Sequence, residues 1–290
     1  MIQFNNISDI KGIYYNGRDI MKVYDYQGKV WEKTPPDYSK QYLTLRALDN
    51  GVVFYTSRTG CTTDLKYSLD SGATWNSYTN YISVSSGDTV MFKGHVISQT
   101  VTTNGNGSYG GISMALNQRY ELEGNIMSLL YEDDFVGKTD LIYPWIFYAF
   151  CTSNLVVNVE NLVLPATALT EYCYQYMFTS CTALTTAPQL PATALATACY
   201  QYMFTNCTAL TTAPQLPATT LAEGCYAYMF NNCTNLNYIK CHATDISAII
   251  CTHQWLDGVA ASGTFVKDAS MNDWTSGDSG IPTGWTIQSA

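Results

Sequence analysis

The sequence predicts a multidomain, mainly β protein: a small N-terminal β-hairpin unit, a β-sandwich (Ig-like) domain, and a C-terminal repeat solenoid with caps. Three observations carry this expectation. A 26-residue unit recurs without gaps from Leu164 to Cys241. Short β-rich runs separated by turn residues fill residues 40–130. Two hairpin signatures open the chain. The expected divisions are 1–36 (hairpins and linker), 37–130 (sandwich), 131–241 (solenoid) and 242–290 (cap).

The first unit rests on turn chemistry. Ile13-Tyr14-Tyr15-Asn16-Gly17-Arg18 contains the Asn-Gly pair of a tight hairpin turn. Val23 to Trp31, with Gly28 near its middle, reads as a second hairpin, and Thr34-Pro35-Pro36 as a linker. So small a unit needs a partner to pack on. In the next domain, Gly51–Tyr55, Leu65–Ser68, Tyr81–Val84 and Thr89–Lys93 read as strands. Ser68-Leu69-Asp70-Ser71-Gly72-Ala73-Thr74-Trp75 fits the Asp-box pattern SxDxGxTW. There the Asp satisfies turn amides and the Trp packs beneath, a structural rather than a catalytic role.

The repeat is the strongest signal. Residues 164–189 and 190–215 match at 22 of 26 positions, and 216–241 forms a third, decaying copy. A degenerate copy precedes them around Phe147–Leu155 and Asn161–Pro165. A fixed period of this length falls in the range of leucine-rich-repeat solenoids. Each copy opens with Leu-Pro, where Pro sets an extended or turn backbone. Ala-Cys-Tyr-Gln-Tyr-Met-Phe is expected to form one short helical or 3₁₀ segment, and Cys-Thr-x-Leu-Thr-Thr-Ala-Pro one short strand. One coil cannot bury its own apolar face, so stacking should bury the columns Leu169/195/221 and Leu184/210/236. Residues 242–290 close with Gly263–Lys267 and Ile281–Ile287, a strand pair with a Pro-Thr-Gly turn.

Cysteine follows the same period, in the columns Cys173/199/225 and Cys181/207/233. Disulfides, a metal site and buried free thiols are three readings of this. Neighbouring coils come within bonding range, but equivalent side chains point the same way. The columns contain no CxxC pair and no His partner. A small hydrophobe in a tight interior column fits best. No metal or other cofactor is expected.

Composition excludes several functions. Charged residues are 13% of the chain, about half the usual share. The net charge is −9, which disfavours nucleic-acid binding and docking on anionic lipid. Residues 1–138 hold 12 Lys and Arg against 14 acids, a net of −2, and residues 139–290 hold 2 against 9, a net of −7. Met1-Ile2-Gln3-Phe4-Asn5-Asn6 lacks the basic and apolar regions of an export signal, and no run of eighteen apolar residues offers a membrane span. Either the protein leaves the cell by another route, such as assembly into a virus particle, or a signal is missing from the sequence.

Catalytic motifs are weak. Gly277-Asp278-Ser279-Gly280 looks like a serine-protease nucleophile segment but sits among turn formers. His95, His242 and His253 are scattered. Glu132-Asp133-Asp134 could hold calcium, though a solvated junction fits better. Glu160, Glu171 and Glu223 could pair as glycosidase carboxylates, but Thr197 stands between the equivalent positions of Glu171 and Glu223. Binding has better support. Tyr172, Gln175, Tyr176, Gln201, Tyr202 and Tyr228 form an amphipathic array almost free of cations, suited to carbohydrate or a neutral protein surface. Either Tyr174/200/226 or Tyr176/202/228 is expected to face inward, not both. Positions that differ between the first two copies (170/196, 171/197, 172/198, 180/206) are expected to be exposed.

The repeat LPATxLxxxCYxYMFxxCTxLTTAP, with Gly124–Tyr131, Val159–Pro165, Gly263–Lys267 and Gly280–Trp285, resembles the BspA-like leucine-rich-repeat proteins of gut Bacteroides and their phages over roughly residues 40–290. The opening Ile13–Arg18, Lys22-Val23-Tyr24 and Lys29–Glu32 is similar to attachment segments of phage fibre and tail proteins. The resemblance implies a non-enzymatic virion structural protein, a fibre, appendage or tail subunit. Its N-terminus would dock on virion proteins through Ile13, Tyr14, Tyr15, Tyr24, Tyr26 and Trp31, and its solenoid would meet host-surface glycan or protein. A homo-oligomer, such as a trimer, would raise weak affinity by avidity. A bacterial cell-surface adhesin is the alternative, and a glycan-active enzyme a third reading.

Overall fold

The computed structural model describes residues 10–16, 19–25, 28–32, 37–57, 61–99 and 111–290. The chain is mainly β, with several separate sheets and very little helix. It divides into two compact units, 1–37 and 38–290. The first is an antiparallel meander of β1 (Ile10–Asn16), β2 (Asp19–Asp25) and β3 (Gly28–Glu32). Its pairs Asn16↔Asp19 and Asp25↔Gly28 close two tight connections, and Ile13, Val23 and Trp31 share one register row. Tyr26 and the linker 34–36 lie outside the described residues.

The second unit begins with two sheets. One orders β10 (Ile112–Leu116), β5 (Gly51–Ser57) and β8 (Ile82–Val84). The other is built around β4 (Leu43–Ala47), flanked by β11 (Tyr120–Asn125) and β9 (Thr89–Gln99). It continues through β6 (Cys61–Ser68) to β7 (Asn76–Ser77). Burial alternates along β10 and β11, as one-sided packing requires. Leu43, Leu45, Val53, Val90, Phe92, Met114 and Leu122, from both sheets, lie in one buried cluster. Gly124 in β11 is obligatory: its φ is +84°, and a Cβ there would sit 2.1 Å from the Tyr42 carbonyl oxygen.

The Asp box is a hairpin turn between β6 and β7. Asp70 accepts from the Thr74 N–H at 2.8 Å, and Ser68 Oγ accepts from the Gly72 N–H at 2.8 Å. Trp75 packs edge-on to Tyr42 at 4.8 Å. The hydrogen bonds from Thr74 and Ser68 hold the Asp70 carboxyl down at about 2.

β11 carries the chain into the repeats. It pairs in parallel with β12 (Val156–Asn158) and β13 (Leu162–Val163). The N–H groups of Ile112 and Met114 donate to the carbonyls of Ile146 and Phe150 in the first coil. From there, successive coils stack. The expected helical or 3₁₀ segment is realised only in part: the 3₁₀-type bond forms at every second residue and no continuous helix results. Residues 170–181 instead make overlapping turns: the N–H groups of Cys173, Gln175, Met177, Thr179 and Cys181 each donate to the carbonyl three residues back. The intervening N–H groups of Tyr172, Tyr174, Tyr176, Phe178 and Ser180 donate to Thr197, Cys199, Gln201, Met203 and Thr205 in the next coil. The same five rungs recur from Ala198–Asn206 to Glu223–Asn231, and from Gly224–Asn232 to Ile249–Asp257. A helix would consume every N–H locally. This ribbon uses half of them to hold the neighbouring coil, and inter-coil bonding overrides the helical propensity.

The conformation demands a left-handed residue every fourth position, here Tyr172 (φ 57°), Tyr176 (φ 59°) and Ser180 (φ 62°), with equivalents in the following coils. The expected strand is also reduced. Inside the repeats it survives as the single bridge Thr212↔Tyr238, and another bridge, Ala168↔Ala194, forms at the Leu-Pro openings instead. Among the described residues, an all-parallel sheet is formed at the end by β14 (Tyr238–Cys241), β15 (Thr264–Lys267) and β16 (Thr286–Ser289). Pro282 O accepts from the Trp285 N–H, closing the Pro-Thr-Gly turn. Gly277–Gly280 is a capping segment. Its Asp278 carbonyl accepts from the Leu256 N–H, Ser279 Oγ accepts from the Gln254 N–H, and the Gly280 carbonyl accepts from the Trp255 ring at 2.9 Å.

Candidate functional site

The stacked coils order side chains into columns, and the columns decide which predicted residues can meet a ligand. Phe147, Tyr174, Tyr200, Tyr226 and Trp255 form a buried aromatic stack with centroids 5.8–6.1 Å apart. Phe178, Phe204 and Phe230 form a second. Leu184, Leu210 and Leu236 are fully buried, while Leu169 and Leu195 are only partly so. All ten cysteines are buried free thiols. Several donate to neighbouring carbonyls, as Cys207 does to Phe178 at 3.1 Å. Burial pushes the Cys173, Cys181, Cys233 and Cys241 thiols up to about 12.

Tyr176, Tyr202 and Tyr228 make the half-exposed column. Their rings stack at 4.6 and 4.5 Å, within 4° of parallel, and His253 closes the row edge-on at 5.2 Å. Face-to-face stacking hides the ring faces from solvent and leaves edges and hydroxyls outward. Burial, then the neighbouring Tyr228, raises the Tyr202 hydroxyl above its ordinary value. Tyr172 stacks on Trp145 at 3.8 Å.

Gln175 does not belong to an outward array. It is 7% exposed, and its amide donates to the Gln201 carbonyl oxygen, so the pair bridges two coils from inside. The expectation for variable positions is corrected at Ala198, which is buried at 4%. Its column runs Trp145, Tyr172, Ala198, Gly224, Ile250, all left-handed, and narrows at Ala198 and Gly224. Ile13, Tyr14 and Tyr15 lie on β1, Tyr24 on β2 and Trp31 on β3.

The carboxylate candidates are engaged or apart. Glu132 pairs with Lys66 at 2.7 Å, and Asp133 takes Lys93 through both oxygens at 2.7 and 2.8 Å. Asp133 also accepts from the Tyr42 hydroxyl at 2.6 Å. Lys93 lies 4.6 Å over the Trp75 ring. Burial and the Asp133 bond push Tyr42 up to about 12. No group of three or more His, Cys, Asp or Glu among the described residues could hold a metal ion. Glu171 and Glu223 are exposed, and their carbonyls receive the Trp145 and Ala198 rungs.

The sequence reading missed a groove along the Leu-Pro openings of the coils. A cavity of about 250 Å³ is lined by Gln189, Leu190, Pro191, Gln215 and Pro217. A second, of about 280 Å³, shares Gln189 and Pro191 and runs to Pro165, Glu160 and Tyr38. Gln-Leu-Pro at one place in consecutive copies was the signal that could have found it. No family model, curated protein or solved structure matches the chain.

Proposed function

We propose that this chain is a non-enzymatic attachment protein, a virion fibre, appendage or tail subunit. On this reading, residues 131–241 are a leucine-rich-repeat solenoid, 37–130 an Ig-like β-sandwich spacer, and 1–36 the segment that docks on the particle. The repeats present a host-facing surface that binds glycan or protein, and oligomers such as trimers multiply weak contacts. One observation carries the reading. Five-rung ladders hold the coils in register, so the same hydroxyl- and amide-bearing residues recur in rows along a stretch whose only Lys and Arg are Lys240 and Lys267. Such a surface suits neutral, hydroxyl-rich partners and repels anionic ones.

The test uses the labelled full chain on intact host-type cells, before and after enzymatic stripping of surface polysaccharide. Binding that disappears on stripping supports glycan-directed attachment. Absence of binding on every strain overturns it. A parallel assay asks whether chains lacking residues 1–36 still join particles; incorporation at the normal level overturns the docking role.

A further inference from the structure

The two cavities on the Leu-Pro side of the coils share Gln189 and Pro191 and so form one groove along the stack. Its floor is apolar: Leu164 and Leu190 are each 2% exposed. Pro165, Pro191 and Pro217 recur at the equivalent place in three coils. Proline has no N–H, so the groove backbone cannot donate to an extended peptide at these steps.

Along the proline steps the hydrogen-bonding groups are side-chain amides, Gln189 and Gln215, both exposed and one coil apart, with Tyr38, Glu160 and Asn161 beyond Pro165. Each amide donates and accepts. A ligand hydroxyl does the same, so the pairing is mutual. Gln215 is oriented by a 2.9 Å contact between its Nε2 and the His242 ring. No Lys or Arg lines either cavity, and Glu160 stands at one end. A sulfate, phosphate or carboxylate on the ligand would find no counter-charge there. The coil spacing, roughly 4.8 Å, is about the length of one sugar ring. An extended chain in the groove therefore offers one residue per coil, its C–H surface against proline and its hydroxyls against glutamine. Mostly apolar walls with a few placed polar groups are the usual form of a ligand site.

We infer that the Gln-Leu-Pro groove binds a neutral, linear polysaccharide. The inference deepens the attachment reading and rests on it, and it moves the contact from the tyrosine row at the middle of each copy to the junctions between copies. The full chain is tested on immobilised neutral polysaccharides, uronic-acid polysaccharides and proline-rich peptides. The variants are Gln189→Ala/Gln215→Ala and, separately, Tyr176→Phe/Tyr202→Phe. Both pairs are exposed or half-exposed, and far-UV circular dichroism and unchanged thermal midpoints check their folds. The expected result is binding to a neutral polysaccharide that the glutamine pair weakens at least about tenfold and the tyrosine pair leaves unchanged. Wild-type affinity in the glutamine variant overturns the groove but leaves the attachment reading standing. Binding only to the acidic polysaccharide or only to the peptide overturns the ligand class. Failure of the wild type on every surface overturns the groove and argues against glycan attachment together.

Discussion

Deleting residues 190–215 should leave a folded protein one coil shorter, with a defect that can be located in advance. The deletion removes one period and sets the Tyr172–Ser180 donors against the Glu223–Asn231 carbonyls, the partners Ala198–Asn206 use now. Tyr176 then meets Tyr228, Phe178 meets Phe230 and Leu184 meets Leu236, like on like. One part-buried hydrogen-bonded pair is lost. Gln175, 7% exposed and bonded to Gln201, would face Ala227. Gln175 would take the place of Gln201, which is half-buried and already faces Ala227, so an amide left there without its partner costs about 1 kcal/mol, the low end for an unpaired polar group. Gln175→Ala should therefore raise the stability of the shortened chain by about that amount. In the full chain the same substitution breaks the bridge to Gln201 and should lower it. Urea unfolding followed by circular dichroism gives the four midpoints of this cycle. The reasoning is refuted if Gln175→Ala acts with the same sign in both backgrounds. It is also refuted if the shortened chain fails to fold with Ala at 175. Deleting only 190–202 puts the columns out of register and should abolish folding.

Three further outcomes follow from local geometry. The buried thiols should not react with Ellman's reagent at pH 8 until the chain unfolds, after which all ten should; prompt labelling of the native protein would contradict the interior columns. Asp70 is held at about 2 in the fold against about 3.9 unfolded. Its stabilising effect is thus complete above about pH 4 and fades as pH falls through 2, so the stability gap between wild type and Asp70→Asn should close over that window. A constant gap would show that the Asp-box hydrogen bonds are not responsible. Gly124→Ala forces a Cβ against the Tyr42 carbonyl and should cost about 3 kcal/mol or more; a loss under about 1 kcal/mol in urea unfolding would mean the β11 path relaxes freely.

Much of this architecture was legible in the sequence. The period gave the columns, and Leu184, Leu210 and Leu236 are buried because each repeats an identical environment. The strands at 51–57, 61–68, 82–84 and 89–99 follow β-rich runs bounded by turn residues. The coil backbone was not legible. Ala-Cys-Tyr-Gln-Tyr-Met-Phe has helix-compatible local preferences, and what defeats them is a neighbour 26 residues away. A faint trace did exist. Ser180, Asn206, Asn232 and Gly258 occupy one left-handed column, and Asn and Gly are the residues that tolerate that region. Gln175 was misplaced because glutamine reads as surface, and only its pairing with Gln201 makes burial tolerable.

The five rungs between coils all run one way. In each, an N–H points toward the C-terminal neighbour and a carbonyl toward the N-terminal one. Alternate peptide units therefore lie along the stack with their dipoles aligned, as in an α-helix but with the opposite sense along the chain. The stack carries a partial positive pole at its C-terminal end and a negative pole where the β10 amides meet Ile146 and Phe150. Asp257 and Asp278 lie at that end, where their carbonyls accept the Asn232 and Leu256 N–H groups. Every added coil would contribute another five aligned dipoles. The stack is thus electrically directional as well as sterically so, and its two ends present different fields to whatever approaches them.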